Sequence, residues 1–199
     1  MVNGKKVGVI SLGCDKNRVD TEKMLSVVSQ RHTLVNRIEE ANIVIINTCA
    51  FLKSSREESI GEILSAGELK KQGAIEKIIV TGCLPQKFIG DVFDELPEAD
   101  AFLGVSDYSL INEAIDRIYN GERVNAVGIP REECGEKRVL TTDGYAYLKI
   151  ADGCSNFCTY CLIPKIRGKY RSVPKEDLIE EAKNLGEVKE LILVAQDLT

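Results

Sequence analysis

The chain has 199 residues, 44% of them hydrophobic and 29% charged, with 16 Gly and 5 Pro, which excludes fibrous and disordered classes and leaves an ordinary globular protein. No apolar run approaches the ~20 residues of a membrane span, and a net charge of −5 gives no global positive field for nucleic acid. The length suits one full domain and part of another.

The first residues, Met1 to Cys14, lack the long apolar core and cleavage site of a signal peptide, so the expected location is the cytoplasm. Val7–Leu12 reads as a buried strand, followed by a helix whose apolar side is Val19, Met24, Leu25 and Val28. Thr33–Val35 is a short edge strand and Ile43–Ile46 a buried one. Ser55 and Glu58 have the spacing of a capping box ahead of a helix carrying Ile60, Ile63 and Leu64. Ile78–Val80 is a further strand. Pro85 suits a first helical position before Phe88, Ile89, Val92 and Phe93. Ala101–Val105 is the next strand, and a helix with Leu110, Ile111, Ala114, Ile115 and Ile118 stops at Asn120 and Gly121. This alternation predicts an α/β fold for residues 1–122, a flavodoxin-like doubly wound parallel sheet.

Residues 123–143 lack a long apolar period and contain Gly128, Pro130, Arg131, Glu132, Glu133 and Gly135, which predicts a linker. Tyr145–Ile150 reads as a strand, a cysteine-rich loop follows, and Pro174 opens a helix with Leu178, Ile179, Ala182 and Leu185, closed by Gly186. Leu191–Val194 is the last strand. Residues 144–199 thus amount to one βαβ unit.

Seven cysteines in a cytoplasmic chain argue for metal or catalytic chemistry over a disulfide framework. Cys14, Cys49 and Cys83 are too far apart for a local metal motif, yet each follows a predicted strand. In a parallel sheet the strand carboxyl ends share one pole, where open α/β sheets bind ligands, and neighbouring strands are ~4.8 Å apart. Three thiolates can therefore converge on one cluster; the alternative is three small buried apolar residues. Cys154-x3-Cys158-x2-Cys161 places three soft ligands directly after a strand, a spacing that suits an iron–sulfur cluster or zinc. Three ligands leave one metal position open for a small molecule. Cys134 reads as a spare linker thiol and His32 as a surface or structural residue.

The second triplet resembles that of the radical S-adenosylmethionine superfamily, and the three upstream cysteines resemble its methylthiotransferase branch. Ser11-Leu-Gly-Cys-Asp-Lys-Asn-Arg-Val-Asp-Thr-Glu22 is similar to the RimO group, as are Asn47-Thr-Cys-Ala-Phe51, Glu57-Glu-Ser-Ile60, Ile163-Pro-Lys-Ile-Arg-Gly168 and Val194-Ala-Gln-Asp197. The tRNA-modifying sister group usually carries Gln-Met-Asn after the first cysteine.

The resemblance implies two 4Fe–4S clusters. Cys154, Cys158 and Cys161 would hold the one that binds and cleaves S-adenosyl-L-methionine, with Tyr160 near adenine and Gln196 near the methionyl amino group. Cys14, Cys49 and Cys83 would hold an auxiliary cluster carrying the sulfur to be transferred, both clusters facing one cavity. The implied reaction adds a methylthio group to the β-carbon of an aspartate in a small-subunit ribosomal protein, alone or within the ribosome. It uses a low-potential electron donor and a monomeric enzyme that does not engage a membrane. The alternatives are methylthiolation of tRNA adenosine and a non-catalytic iron–sulfur or zinc protein. Lys165, Arg167 and Lys169, with Arg171 and Lys175, would share one face if extended, and so form either a solvated loop or a basic rim for substrate. A (β/α) barrel needs about 200 residues or more. The expectation is therefore the first βαβ portion of a radical-SAM barrel, with no turnover by residues 1–199 alone.

Overall fold

The computed structural model describes residues 1–130 and 137–198, so Arg131, Glu132, Glu133, Cys134 and Gly135 of the predicted linker lie outside the described residues. β1 (Lys6–Ser11), β2 (Thr33–Leu34), β3 (Ile43–Thr48), β4 (Lys77–Gly82), β5 (Ala101–Leu103) and β6 (Val124–Ala126) form one sheet in the order β2-β1-β3-β4-β5-β6, every pair parallel. The first five strands follow the flavodoxin-like order, whose switch point falls between β1 and β3.

The strands are apolar on both faces because both are covered. On one side Ile43, Ile45, Ile79 and Leu103 pack with Met24 and Val28 of α1 (Asp15–Ser29) and with Ile111, Ile115 and Ile118 of α4 (Ile111–Tyr119). On the other, Val44, Ile46, Ile78, Val80 and Phe102 pack with Ile63 and Ala66 of α2 (Lys53–Lys71) and with Leu84 and Val92 of α3 (Cys83–Glu95).

Several local expectations are corrected. The predicted linker begins too early: Val124–Ala126 pairs with β5, and Val124 is fully buried. A three-residue edge strand leaves too short an apolar signal to read. The capping box at Ser55 and Glu58 is not used, because α2 starts at Lys53, within the turn before it. Leu64 lies off the buried stripe, exposed, while Ser59 takes a buried position. Pro85 sits two residues into α3 rather than at its start, which the first turn tolerates because its amides have no intrahelical acceptor.

The second unit begins with β7 (Tyr145–Lys149). After it, β8 (Ala151–Asp152) pairs antiparallel with β9 (Arg171–Ser172) and closes the cysteine loop at its base, with α5 (Ile163–Ile166) inside the loop. Then α6 (Lys175–Asn184), entered through Pro174, leads to β10 (Glu190–Val194), parallel to β7. This unit and the segment that leads into it dock on α1 through polar side chains. Thr141 donates from its backbone amide and its hydroxyl to Glu22, at 3.0 and 2.8 Å. Arg138 pairs with Glu181 at 3.2 Å and lies 3.8 Å from Glu22, while Lys23 lies 3.3 Å from Glu181. Helix α1 is therefore buried on almost every side, by apolar residues toward the sheet and by charged ones toward the second unit.

Candidate metal centre

Strands β1, β3 and β4 are adjacent and parallel, so their carboxyl ends open on one edge of the sheet. Cys14 caps the start of α1 a few residues after β1, Cys49 directly follows β3, and Cys83 directly follows β4 as the first residue of α3. All three line one cavity of about 580 Å³. None is in a disulfide.

Glycine makes this approach possible at two points. At Gly13 (φ +90°) a Cβ would lie 2.8 Å from Cys49 Cβ and 3.2 Å from its sulfur. At Gly82 (φ +94°) it would run into Asn47 Oδ1 and lie 2.6 Å from the Thr48 carbonyl. Both dihedrals are in the region that side chains disfavour.

A polar scaffold ties the three loops together. Asn17, fully buried on α1, donates through Nδ2 to the carbonyls of Leu12 at 3.1 Å and Thr48 at 3.0 Å, holding the first two cysteine loops. Its Oδ1 lies 3.7 Å from the Cys83 thiol. Asn47 donates to the Asn17 carbonyl and to Thr21 Oγ1, both at 2.9 Å. Thr48 donates to the Thr81 carbonyl at 2.6 Å and accepts from the Leu84 amide at 3.2 Å. Ser59 grips Cys49 from both sides, accepting from its amide at 3.1 Å and donating to its carbonyl at 2.9 Å.

The second unit completes the wall. Ile163, Ile166 and Arg167 from the end of the cysteine loop, with Ala195 and Gln196 after β10, line the same cavity. Arg167 is the main departure from the sequence reading. It is 2% exposed and does not sit on a solvated rim. Residues 163–166 are helical, so the alternate spacing that would have put Lys165, Arg167 and Lys169 on one face does not apply; Lys165 and Lys169 are exposed while Arg167 turns inward. Its Nη1 donates to Asp20 at 2.6 Å and to Asp152 at 3.3 Å, and its Nη2 donates to Asn17 Oδ1 at 2.6 Å and lies 4.0 Å from Cys83 Sγ. Lys149 bridges the same two acids at 2.5 and 3.2 Å. Burial pushes the Cys83 thiol up to about 11, with Arg167 pulling against that rise.

The second triplet occupies the loop closed by β8 and β9. The Cys154 amide donates to the Gly168 carbonyl at 3.2 Å, the Cys161 amide to the Cys158 carbonyl at 2.9 Å, and the Ile163 amide to Cys161 Sγ at 3.4 Å. Phe157 adopts φ +48° between the first two cysteines. Tyr160 is 84% exposed, so it is not an ordinary core aromatic. None of Cys154, Cys158 and Cys161 lines the cavity that holds the first triad; the loop reaches that cavity only through its later residues, Ile163 to Arg167. Gln196 does line it, and its buried Oε1 has no hydrogen-bond partner among the described residues.

Among the described residues, no three His, Cys, Asp or Glu side chains are grouped tightly enough to hold a single metal ion. An iron–sulfur cube spreads its cysteine sulfurs more widely than one ion does. Three unpaired cysteines around one cavity, with glycine where a side chain would fill it, suit the larger group.

Sequence reasoning located the cysteines but missed Asn17, Asp20, Ser59, Lys149 and Asp152. The available signal was polar residues at helical positions that face the interior: Asn17, Asp20 and Thr21 interrupt the apolar side of α1.

Residues 6–104 match the profile of "Uncharacterized protein family UPF0004". Across 98% of its length the chain is 50% identical to a Clostridium perfringens protein named "Ribosomal protein uS12 methylthiotransferase RimO", 51% to its counterpart in Lachnoclostridium phytofermentans and 48% to that of Clostridium tetani. The chain spans 45 to 46% of the length of these relatives. No described helix is long and apolar enough to cross a membrane.

Proposed function

We propose, on the premise that the chain is RimO-like over nearly its whole length, that the protein these residues build is a methylthiotransferase acting on a small-subunit ribosomal protein, as the name of its relatives describes them. The observation that carries this reading is the convergence of Cys14, Cys49 and Cys83 on one cavity, with residues of the second unit forming its opposite wall.

In this reading Cys14, Cys49 and Cys83 hold one iron–sulfur cluster, and Cys154, Cys158 and Cys161 hold the other together with S-adenosyl-L-methionine. When bound, these groups supply one-electron cleavage of a sulfonium and a store of transferable sulfur. The protein's own contribution is placement. Asn17, Asn47, Thr48 and Ser59 fix the three cysteine loops before anything binds, so little reorganisation is needed at the site. Ile163, Ile166, Phe51 and Leu52 give the cavity apolar walls that limit water around reactive species. Gln196 presents a buried amide oxygen with no partner among the described residues, placed to accept a hydrogen bond from an ammonium or amide of a bound molecule. Tyr160, exposed beside the second triplet, is free to stack on a planar ring.

Anaerobic reconstitution of the full-length protein tests this. Iron and sulfide sufficient for two clusters are expected. Replacing Cys83 with Ala is expected to remove half of each, and replacing Cys134 with Ser none. Incubation with the ribosomal protein uS12 and S-adenosyl-L-methionine is expected to add the mass of a methylthio group to an aspartate. The same mass on tRNA and none on the protein would overturn the substrate assignment, and one zinc per chain without iron would overturn the whole reading.

A further inference from the structure

A cation in contact with the first cysteine triad comes from the other unit of the chain. Arg167 follows Cys161 closely, in the segment that closes the second cysteine loop. That segment is pinned at its backbone: Gly168 accepts from the Cys154 amide at 3.2 Å, and the Arg167 carbonyl accepts from Arg171 Nη1 at 3.0 Å. From this anchored position the guanidinium crosses to α1 and spreads its donors over Asp20, Asn17 and the Cys83 sulfur. Through Asn17 it is connected to all three cysteine loops, since that amide also binds the carbonyls of Leu12 and Thr48.

The charges around it are balanced. Asp20 and Asp152 face Lys149 and Arg167, two acids and two cations, all with little exposure. Of these, Arg167 is the one in contact with the triad, 4.0 Å from Cys83 Sγ. Removing its charge would leave a net negative group beside ligands that are themselves anionic when they bind metal. The potential of an iron–sulfur cluster follows local net charge and hydrogen bonds to its sulfurs, so a cation here favours the reduced state. A planar fork with several donors meets a carboxylate, an amide and a sulfur at once, which a lysine ammonium cannot do with the same geometry.

We propose that Arg167 is a positioning residue for the auxiliary site: it locks the loop of the second triplet to the three loops of the first triad and holds positive charge against Cys83, raising the potential of a cluster bound there. The inference rests on the reading of Cys14, Cys49 and Cys83 as cluster ligands.

The test uses the full-length protein with Cys154, Cys158 and Cys161 replaced by Ala, reconstituted anaerobically so that only the first triad can load, followed by a redox titration of the bound cluster. Arg167→Gln is expected to bind a full complement of iron and sulfide and to shift the midpoint potential in the negative direction. Arg167→Lys should stay closer to the unsubstituted value. Lys169→Gln removes a cation from the same loop whose side chain is exposed and takes no part in the anchoring of Arg167, and it should leave the potential in place. An unchanged potential in Arg167→Gln, or equal shifts in Arg167→Gln and Lys169→Gln, would overturn the proposal. If Arg167→Gln takes up no cluster, Arg167→Lys decides: restored uptake supports the role and failed uptake overturns it. Absence of iron from the protein with an intact Arg167 would instead refute the cluster reading on which the inference stands.

Discussion

Replacing Asp20 with Asn should destabilise the docking of the second unit on α1 far more than an ordinary surface change. Asp20 is about 7% exposed at its side chain and contacts two cations, Lys149 at 2.5 Å and Arg167 at 2.6 Å, themselves 11% and 3% exposed. Each such contact has a gross attraction of about 6 kcal/mol at an effective dielectric near 20, and desolvation of the three charges cancels most of it. What persists after substitution is the penalty of two buried cations sharing one acid, Asp152, for which removal of a single partner typically costs about 3 to 5 kcal/mol. The neutral amide retains some hydrogen bonding, so about 3 kcal/mol is expected, which for a chain of this size lowers the unfolding midpoint by roughly 6 to 12 °C. Thermal unfolding at pH 7, followed by circular dichroism, measures this, and Asp20→Asn combined with Lys149→Met should recover part of the loss. A drop corresponding to less than about 0.5 kcal/mol, the range of ordinary surface substitutions, would show that water screens the network and that the burial argument is wrong. The pH dependence has a definite sign. Burial alone would raise Asp152, but Lys149 and Arg167 hold it well below its ordinary value of 3.8. Its contribution is therefore present above that value and is lost as pH falls toward the depressed one. Burial would likewise lower Lys149, yet Asp152 and Asp20 outweigh this and raise it above 10.5, so its contribution holds below that pH and disappears only as pH rises through the higher folded value.

Gly82→Ala should cost at least about 3 kcal/mol, from a disfavoured backbone region plus contact with the Thr48 carbonyl; thermal unfolding and iron uptake should fall together, and normal uptake would show that the β4 turn can shift. Ser59→Ala removes both bonds to Cys49 and leaves its amide without a partner, for a loss of about 1 to 2 kcal/mol in a denaturant titration; no change would mean that water replaces the hydroxyl. Arg31 holds the Asp116 carboxylate down to about 2, and their side chains are 22% exposed. Asp116→Asn should remove about 1 kcal/mol at neutral pH, the scale of an exposed pair with good geometry. The difference from the unsubstituted protein should vanish as pH falls from 3.8 toward 2, and a difference that persists below pH 2 would assign the effect to packing instead.

The sequence was enough for the first unit's architecture because parallel strands covered on both faces must be apolar throughout. Ile43–Ile46 and Ile78–Val80 say so directly, and the residues at the strand ends fixed where Cys14, Cys49 and Cys83 would emerge. Contiguous spacing made the second triplet legible without any fold at all. Tertiary structure alone decided the fate of charged residues. Arg167 belongs by pattern to a basic loop, yet its environment is set by Asp20 and Asn17, far away in the sequence and on another element. Val124–Ala126 became a strand because β5 offered an unpaired edge, not because of its own composition. Periodicity reports what a segment needs to bury against its nearest neighbours; it carries no information about which distant charge will neutralise which, and that pairing fixed the wall of the cavity.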